Sequence, residues 1–154
     1  AKEGAGNEML FDPSEKVSRL EFLVCAMDAF GAGNIPSSSD AGFADTDTIP
    51  EKHRGYVSAA KSLGIVSGVN EGGRMYFRGD EEITYAQAAV ILNRIIGLES
   101  DGTKSLSADV PEWAYRDVCA LTENGILDPY CNVSASVDRA GCAQIVCEAV
   151  RFFD

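Results

Sequence analysis

The sequence has few basic residues and no long apolar run, and both shortages exclude classes of partner. It holds 13 Lys and Arg against 24 Asp and Glu, which gives a formal net charge of −11. Nucleic acids and anionic membrane surfaces are attracted by clustered positive charge, whereas positive charge is in deficit along this whole chain. No apolar run approaches the ~20 residues of a membrane span. We therefore expect no nucleic-acid partner and no membrane insertion.

Residues that carry catalysis or bind metals are also scarce. His53 is the single histidine, and the five cysteines form no C-x-x-C pair. We find no Ser/His/Asp, Cys/His, phosphate-loop or metal-ligand pattern, so we expect no enzyme, no cofactor and no metal site. Three cysteines lie in repeated helical stretches, where we interpret them as small core residues, although a disulfide stays open. These are Cys25, Cys142 and Cys147.

One stretch of the sequence occurs three times. Ile83–Gly97 aligns without a gap with Val17–Gly31 and with Val137–Arg151. Each copy opens with a β-branched apolar residue, followed by a short polar residue that is able to cap a helix. The capping residues are Ser18, Thr84 and Asp138.

Two of the three caps have a second partner. Glu21 follows Ser18, and Gln87 follows Thr84, at the spacing of a capping box, in which each side chain satisfies the other residue's backbone N–H. The third copy has Gly141 at the equivalent position, so we expect its cap to act alone.

The apolar positions shared by the three copies predict buried helices. At about 100° per residue they wrap roughly two-thirds of the helix circumference, which is wider than the stripe of a surface helix. We predict a mainly α protein in which the three helices pack together as a central bundle with approximate threefold symmetry.

A second repeated unit precedes two of these helices. Pro50-Glu51 and Pro111-Glu112 mark helix starts, and Gly64 and Gly125 mark the ends. A small hairpin is predicted around Gly72-Gly73, so the bundle should carry short prong helices and hairpin loops.

These units define one domain. We expect a disordered tail over residues 1–8 and a single domain over 9–154. The domain comprises a half repeat (9–31), which lacks a leading helix, and two repeats (43–98 and 107–154).

The order and spacing of these elements resemble the S-layer homology (SLH) family, over nearly the whole chain after residue 9. Its repeats read loosely F-x-D-V…W-A…G-I-I-x-G…F-x-P…I-T-R-A-E. The matching residues are Phe11, Pro13 and Val17–Glu21 in the half repeat; Phe43, Asp45, Gly64, Ile65, Gly68, Phe77 and Ile83–Gln87 in the next; and Asp109–Pro111, Trp113, Ala114, Gly125, Ile126 and Val137–Ala140 in the last.

The resemblance implies a three-pronged fold and a role outside the cell. SLH modules attach surface proteins non-covalently to secondary cell-wall polysaccharide of Gram-positive-type bacteria, often through pyruvylated sugars. In the family, the Arg of T-R-A-E contacts the acidic sugar in grooves between prongs. Arg19 and Arg139 match this Arg, whereas Tyr85 replaces it in the middle unit, and Leu20 and Gly141 depart from the motif. We expect a monomer at the cell wall.

The position of both arginines favours an anionic ligand. Arg19 and Arg139 occupy the first position of their helices. A cation at this end interacts unfavourably with the helix dipole, which costs about 0.3–1 kcal/mol of helix stability. A bound carboxylate or phosphate would be stabilised there by guanidinium and backbone N–H groups together. The alternative is that Arg19 pairs with a nearby acid such as Glu15 or Glu21.

The other candidates each have a structural alternative. Trp113 either presents its face to a sugar ring or fills the core, and Tyr85 either stacks on a sugar or packs. Asp45 and Asp109 either hold a cation or cap helices. The candidate ligand-binding residues are Arg19, Glu21, Asp45, Tyr85, Gln87, Asp109, Trp113 and Arg139. Because the motif set is incomplete, a structural or protein-interaction module without glycan binding is the alternative function.

Overall fold

The computed structural model describes residues 12–31, 38–101 and 109–154. The predicted tail (1–8), Phe11 and the first residues of the repeat 107–154 lie outside the described residues. Within them the protein is mainly α-helical, as predicted. The elements are α1 (Arg19–Ala29), α2 (Arg54–Ser62), β1 (Val69–Glu71), β2 (Arg74–Tyr76), α3 (Tyr85–Ile96), α4 (Tyr115–Glu123) and α5 (Arg139–Phe152), with 3₁₀ turns at Thr46–Thr48, Glu51–His53 and Glu112–Ala114.

The three repeated stretches form α1, α3 and α5, and their caps are those predicted. The Ser18 side chain accepts from the backbone N–H of Glu21 at 3.1 Å, and the Glu21 side chain accepts from Ser18 at 2.9 Å. Thr84 and Gln87 form the same capping box at the start of α3. Asp138 caps α5 alone, accepting from the N–H of Gly141 at 2.7 Å.

A ring of backbone hydrogen bonds joins the residues just before the three helices. Val17 N–H donates to the carbonyl of Val137 (2.9 Å), Val137 to Ile83 (2.8 Å), and Ile83 back to Val17 (3.1 Å). All three side chains are buried. The three chain segments therefore meet at one point inside the protein.

The first N–H groups of each helix extend this ring. A helix leaves its first N–H groups without partners inside the helix. Here each central helix donates them to carbonyls of the turn that precedes the next one. The bonds are Arg19 to Glu81 (2.9 Å) and Leu20 to Gly79 (3.1 Å), Tyr85 to Ala135 (3.0 Å) and Ala86 to Val133 (2.9 Å), and Arg139 to Glu15 (2.9 Å) and Ala140 to Pro13 (3.0 Å).

The leading helices pack on two of the central helices. α2 contacts α1, and α4 contacts α3. Each was predicted as one helix, but each is a 3₁₀ turn after Pro50 or Pro111 that continues into an α-helix. The hairpin is confirmed: β1 and β2 are antiparallel, with Gly72 (φ 59°) and Gly73 (φ 83°) between them. No described helix is long and apolar enough to cross a membrane.

The prediction that all three central helices are mostly buried holds for α3 but is wrong for one side of α5. Ala140, Ala143 and Cys147 of α5 are exposed, whereas the aligned residues of α3 (Ala86, Ala89 and Asn93) are buried. The reason is packing: α4 covers α3, whereas the chief described neighbour of α5 is α1.

The prediction that Cys25, Cys142 and Cys147 are small core residues is only partly correct. Cys142 is buried, as expected for a small core residue, but Cys25 and Cys147 are exposed. All five cysteines are free thiols in the structure.

Candidate functional site

A groove beside the start of α1 brings together three of the predicted ligand-binding residues. It encloses a cavity of about 370 Å³ between α1, α3, the 65–69 loop and the 3₁₀ turn before α4. Arg19, Gln87 and Trp113 all line this cavity, which we call groove A. Arg94 also lines it and was not among the predicted site residues. The sequence could have indicated Arg94, because it lies seven residues after Gln87 and therefore on the same helix face.

The direct contacts of the Arg19 guanidinium are uncharged groups of Phe77. Its Nε donates to the carbonyl of Phe77 at 3.2 Å, and its guanidinium lies 5.5 Å from the centroid of the Phe77 ring. Burial lowers the pKa of Arg19, while Glu81 and Asp45 raise it. Arginine remains protonated under such perturbation.

The alternative that Arg19 pairs with a nearby acid is wrong for Glu15 and Glu21, whereas Glu81 and Asp45 lie near enough to act on Arg19 through their charge. Glu21 is held in the capping box, and Glu15 forms an ion pair with Arg139. Within the described ranges, no carboxylate forms an ion pair with Arg19.

The other lining residues of groove A have groups available to a ligand. The Gln87 side-chain oxygen accepts from Thr84 N–H at 2.9 Å, and this bond leaves its NH₂ group available. Trp113 is 60% exposed, so the alternative that it fills the core is wrong. Among the described residues, the hydrogen-bond partners of Arg94 are the carbonyls of Gly64 and Ile65, both at a long 3.4 Å.

Groove A is positively charged, although the protein as a whole is negatively charged. Of its described lining residues, Arg19 and Arg94 carry charge and none is acidic, while the whole chain has a net charge of −11. The groove therefore combines two cations, an amide and an exposed indole, a set suited to a carbohydrate that bears a carboxylate.

A second groove has the same construction around the start of α5. It encloses about 310 Å³ and is lined by Tyr85, the 126–128 loop and the first turns of α5. Tyr85 takes the position of Arg19, and Gly141 takes that of Gln87. A Cβ atom at Gly141 would lie only 2.0 Å from the Tyr85 hydroxyl, so the tyrosine fills the space of a side chain there. We call this cavity groove B.

Arg139 and Glu21 are not part of either groove. Arg139 forms an ion pair at 3.0 Å with Glu15, an exposed acid of the turn before α1. The carboxylate of Glu21 accepts from the backbone of its own helix start. The structure does not bring these two predicted site residues together with Arg19, Gln87 and Trp113.

The two predicted aspartates also lie outside the grooves. Asp45 accepts from the backbone N–H groups of Phe77 and Arg78, both at 2.9 Å, and so holds the turn before α3. It makes no helix-capping bond, which corrects the predicted alternative. Asp109 is exposed. Among the described residues, no group of three or more His, Cys, Asp or Glu could hold a metal ion.

Comparison with known proteins identifies part of this architecture. Residues 42–89 match the S-layer homology domain family. A search of curated proteins found no match to the chain. The matched stretch holds the 3₁₀ turns around Pro50, α2, the hairpin and the start of α3, with Asp45, Tyr85 and Gln87. The predicted resemblance is thus confirmed for one repeat, and S-layer homology domains are binding modules known for cell-wall anchoring.

Proposed function

We propose that this chain is a non-catalytic module, built from a half repeat and two S-layer homology repeats, that anchors a surface protein to secondary cell-wall polysaccharide. It acts as a monomer at the outer cell surface, and the polymer is acidic, with pyruvylated sugars as the favoured class. The observation that carries this proposal is groove A, where two arginines and an exposed tryptophan line one cavity that has no described acidic residue. The family match at residues 42–89 supports the same function.

Each group in groove A has a distinct task in this proposal. Arg19 offers a planar pair of N–H donors, which suits a carboxylate. Trp113 offers an exposed ring on which the apolar face of a sugar can pack. Gln87 donates to a sugar hydroxyl, and Arg94 supplies a second positive charge in the lining of the cavity.

The test is a pull-down with purified cell-wall polymer, with and without its pyruvyl groups. We expect the intact chain to bind the pyruvylated polymer. Arg19→Ala should weaken that binding about tenfold or more, because a hydrogen-bonded charge pair contributes about 1.5–3 kcal/mol. Arg151→Ala is the matched control, since Arg151 is exposed, pairs with Glu148 and lies outside groove A.

The result decides between this proposal and its alternative. If the intact, folded chain binds neither polymer, the protein is a structural or protein-interaction module that keeps the fold without glycan binding. If Arg19→Ala and Arg151→Ala bind as well as the intact chain, the polymer is held elsewhere than in groove A.

A further inference from the structure

Groove B repeats the framework of groove A with different chemistry. In both grooves the first residue of a central helix donates its N–H to the turn before the next central helix: Arg19 to Glu81 and Tyr85 to Ala135. The 65–69 loop of groove A corresponds to the loop at 126–128 in groove B. The two cavities therefore share a helix start and an equivalent loop, while the side chains at these positions differ.

The substitutions in groove B remove the features that would hold an anion. Tyr85 replaces one arginine, and the position of Arg94 is taken by Glu148, which pairs with Arg151 at 2.7 Å. None of the described lining residues of groove B is Lys or Arg, and Asp128 is the acid among them. A ligand carboxylate would meet repulsion there instead of a partner, so groove B disfavours an acidic sugar.

Groove B nevertheless keeps polar groups that are free to bind. No described residue hydrogen-bonds to the Tyr85 hydroxyl or to the Gln144 amide, although both residues line the cavity. Asn132 uses its Oδ1 for the N–H of Ser134 and Asp128 its Oδ1 for the N–H of Tyr130, which leaves an NH₂ group and a second carboxylate oxygen. These hydrogen-bond donors and acceptors, with no cation among them, suit the hydroxyl groups of a neutral sugar.

The remaining surface of groove B is apolar. Ile126, Leu127 and Ile145 line it beside the tyrosine ring. An apolar and aromatic wall with a few polar groups directed at it is the common composition of a small-ligand site. Gly141 is necessary for this arrangement, because any side chain there would displace the Tyr85 hydroxyl.

We propose that groove B binds a neutral sugar residue of the polymer whose acidic residue occupies groove A, an inference that rests on the proposed function. Groove A then recognises the acidic sugar, and groove B adds affinity for an unmodified sugar of the same polysaccharide. The two departures from the repeat pattern, Tyr85 and Gly141, form one matched pair that changes the ligand class of this groove.

The experiment compares two probes, the native polymer and the same polymer stripped of its acidic substituents by mild acid hydrolysis. We expect the intact protein to bind the stripped polymer more weakly than the native one. Tyr85→Phe and Gln144→Ala should each weaken binding of both probes by about threefold to tenfold, because each removes a hydrogen bond to a neutral group. Arg19→Ala should weaken binding of the native polymer alone. Tyr76→Phe is the control, since Tyr76 lies in β2 and lines neither groove.

A double variant tests the change of ligand class directly. Tyr85→Arg with Gly141→Gln places the residue types of groove A into groove B. It should lose affinity for the stripped polymer and bind the native polymer at least as well as the intact protein does. In the intact protein, the amide signal of Gly141 should shift on titration with the stripped polymer.

The outcomes separate this inference from the proposed function. If Arg19→Ala loses the native polymer while Tyr85→Phe and Gln144→Ala bind both probes normally, groove B is not a site and the proposed function stands. An unshifted Gly141 signal at saturation with the stripped polymer would overturn the inference in the same way. If the intact protein binds neither probe, both proposals are wrong.

Discussion

At the scale of single residues, the same motif position leads to two different environments. Arg19 and Arg139 occupy equivalent helix starts, but Arg139 is paired with Glu15 and Arg19 is paired with no described acid. The sequence predicts their positions through the caps that precede them. It does not predict the pairing, because Glu15 is brought to Arg139 by backbone bonds between the turn before α1 and the start of α5. Long-range contacts of this kind leave no local signal in the chain.

Asp45 holds the turn before α3 instead of capping a helix, and a substitution can test this role. It accepts the N–H groups of Phe77 and of Arg78, and Arg78 has a left-handed backbone (φ 59°), which a non-glycine residue adopts at a cost. We expect Asp45→Ala to lower the free energy of unfolding by roughly 1–3 kcal/mol, since two N–H donors lose their acceptor. Asp109→Ala, at an exposed aspartate, should change it by less than about 0.5 kcal/mol. Urea unfolding of both variants measures the difference, and equal stabilities would contradict the assignment.

Cys25 is the thiol that we expect to react fastest. A hydrogen bond with Cys142 lowers the pKa of Cys25 to about 7, and the residue is exposed. A group with a lowered pKa is ionised above that value, so near pH 7 about half of Cys25 is thiolate, against roughly 3% for an ordinary thiol. Alkylation by iodoacetamide at pH 7, followed by mass spectrometry, should label Cys25 several-fold faster than exposed Cys147. Cys142→Ala should slow the alkylation of Cys25. Equal alkylation rates for Cys25 and Cys147 in the intact protein would show that the pKa of Cys25 is not lowered.

At the scale of elements, the helix starts are predicted best and the contacts between elements least. The Ser18–Glu21 and Thr84–Gln87 capping boxes are local patterns, and both are present as predicted. The ring formed by Val17, Ile83 and Val137 joins segments that are far apart in the chain, so no local pattern specifies it. The exposed side of α5 was missed for the same reason, because burial depends on which helix packs there.

The single cap of α5 permits a clean measurement at this scale. Asp138 accepts from Gly141 without a reciprocal partner, so removing its carboxylate removes the side-chain cap. We expect Asp138→Ala to cost about 1 kcal/mol of unfolding free energy, and Asp138→Asn to cost little, because asparagine caps equally well. Thermal unfolding followed by circular dichroism measures both variants. A stability of Asp138→Ala equal to that of Asp138→Asn would show that the cap does not stabilise the domain.

At the scale of the whole molecule, groove A depends on the way distant segments of the chain come together. Groove A takes Arg19 from α1, side chains from the 65–69 loop and α3, and Trp113 from the 3₁₀ turn before α4. Segments that are far apart in the chain thus contribute to one cavity. The sequence supplies the list of candidates through the motif, and the structure selects among them by position. Arg94 was missed because it belongs to no motif, although it shares a helix face with Gln87.

The overall charge determines how binding should depend on salt. Under the proposed function, an acidic polymer approaches a protein of net charge −11, so the long-range force is repulsive, while Arg19 and Arg94 attract at contact. Salt screens interactions beyond the Debye length, about 30 Å at 0.01 M and 10 Å at 0.1 M, and screens partly buried contacts much less. Raising NaCl from 20 to 150 mM should therefore leave the Kd for the acidic polymer unchanged or lower it, as measured by calorimetry. The acid-stripped polymer is the control, and its Kd should be flat over the same range. A Kd for the acidic polymer that rises tenfold would mean that the polymer is drawn in by a positive surface that groove A does not explain.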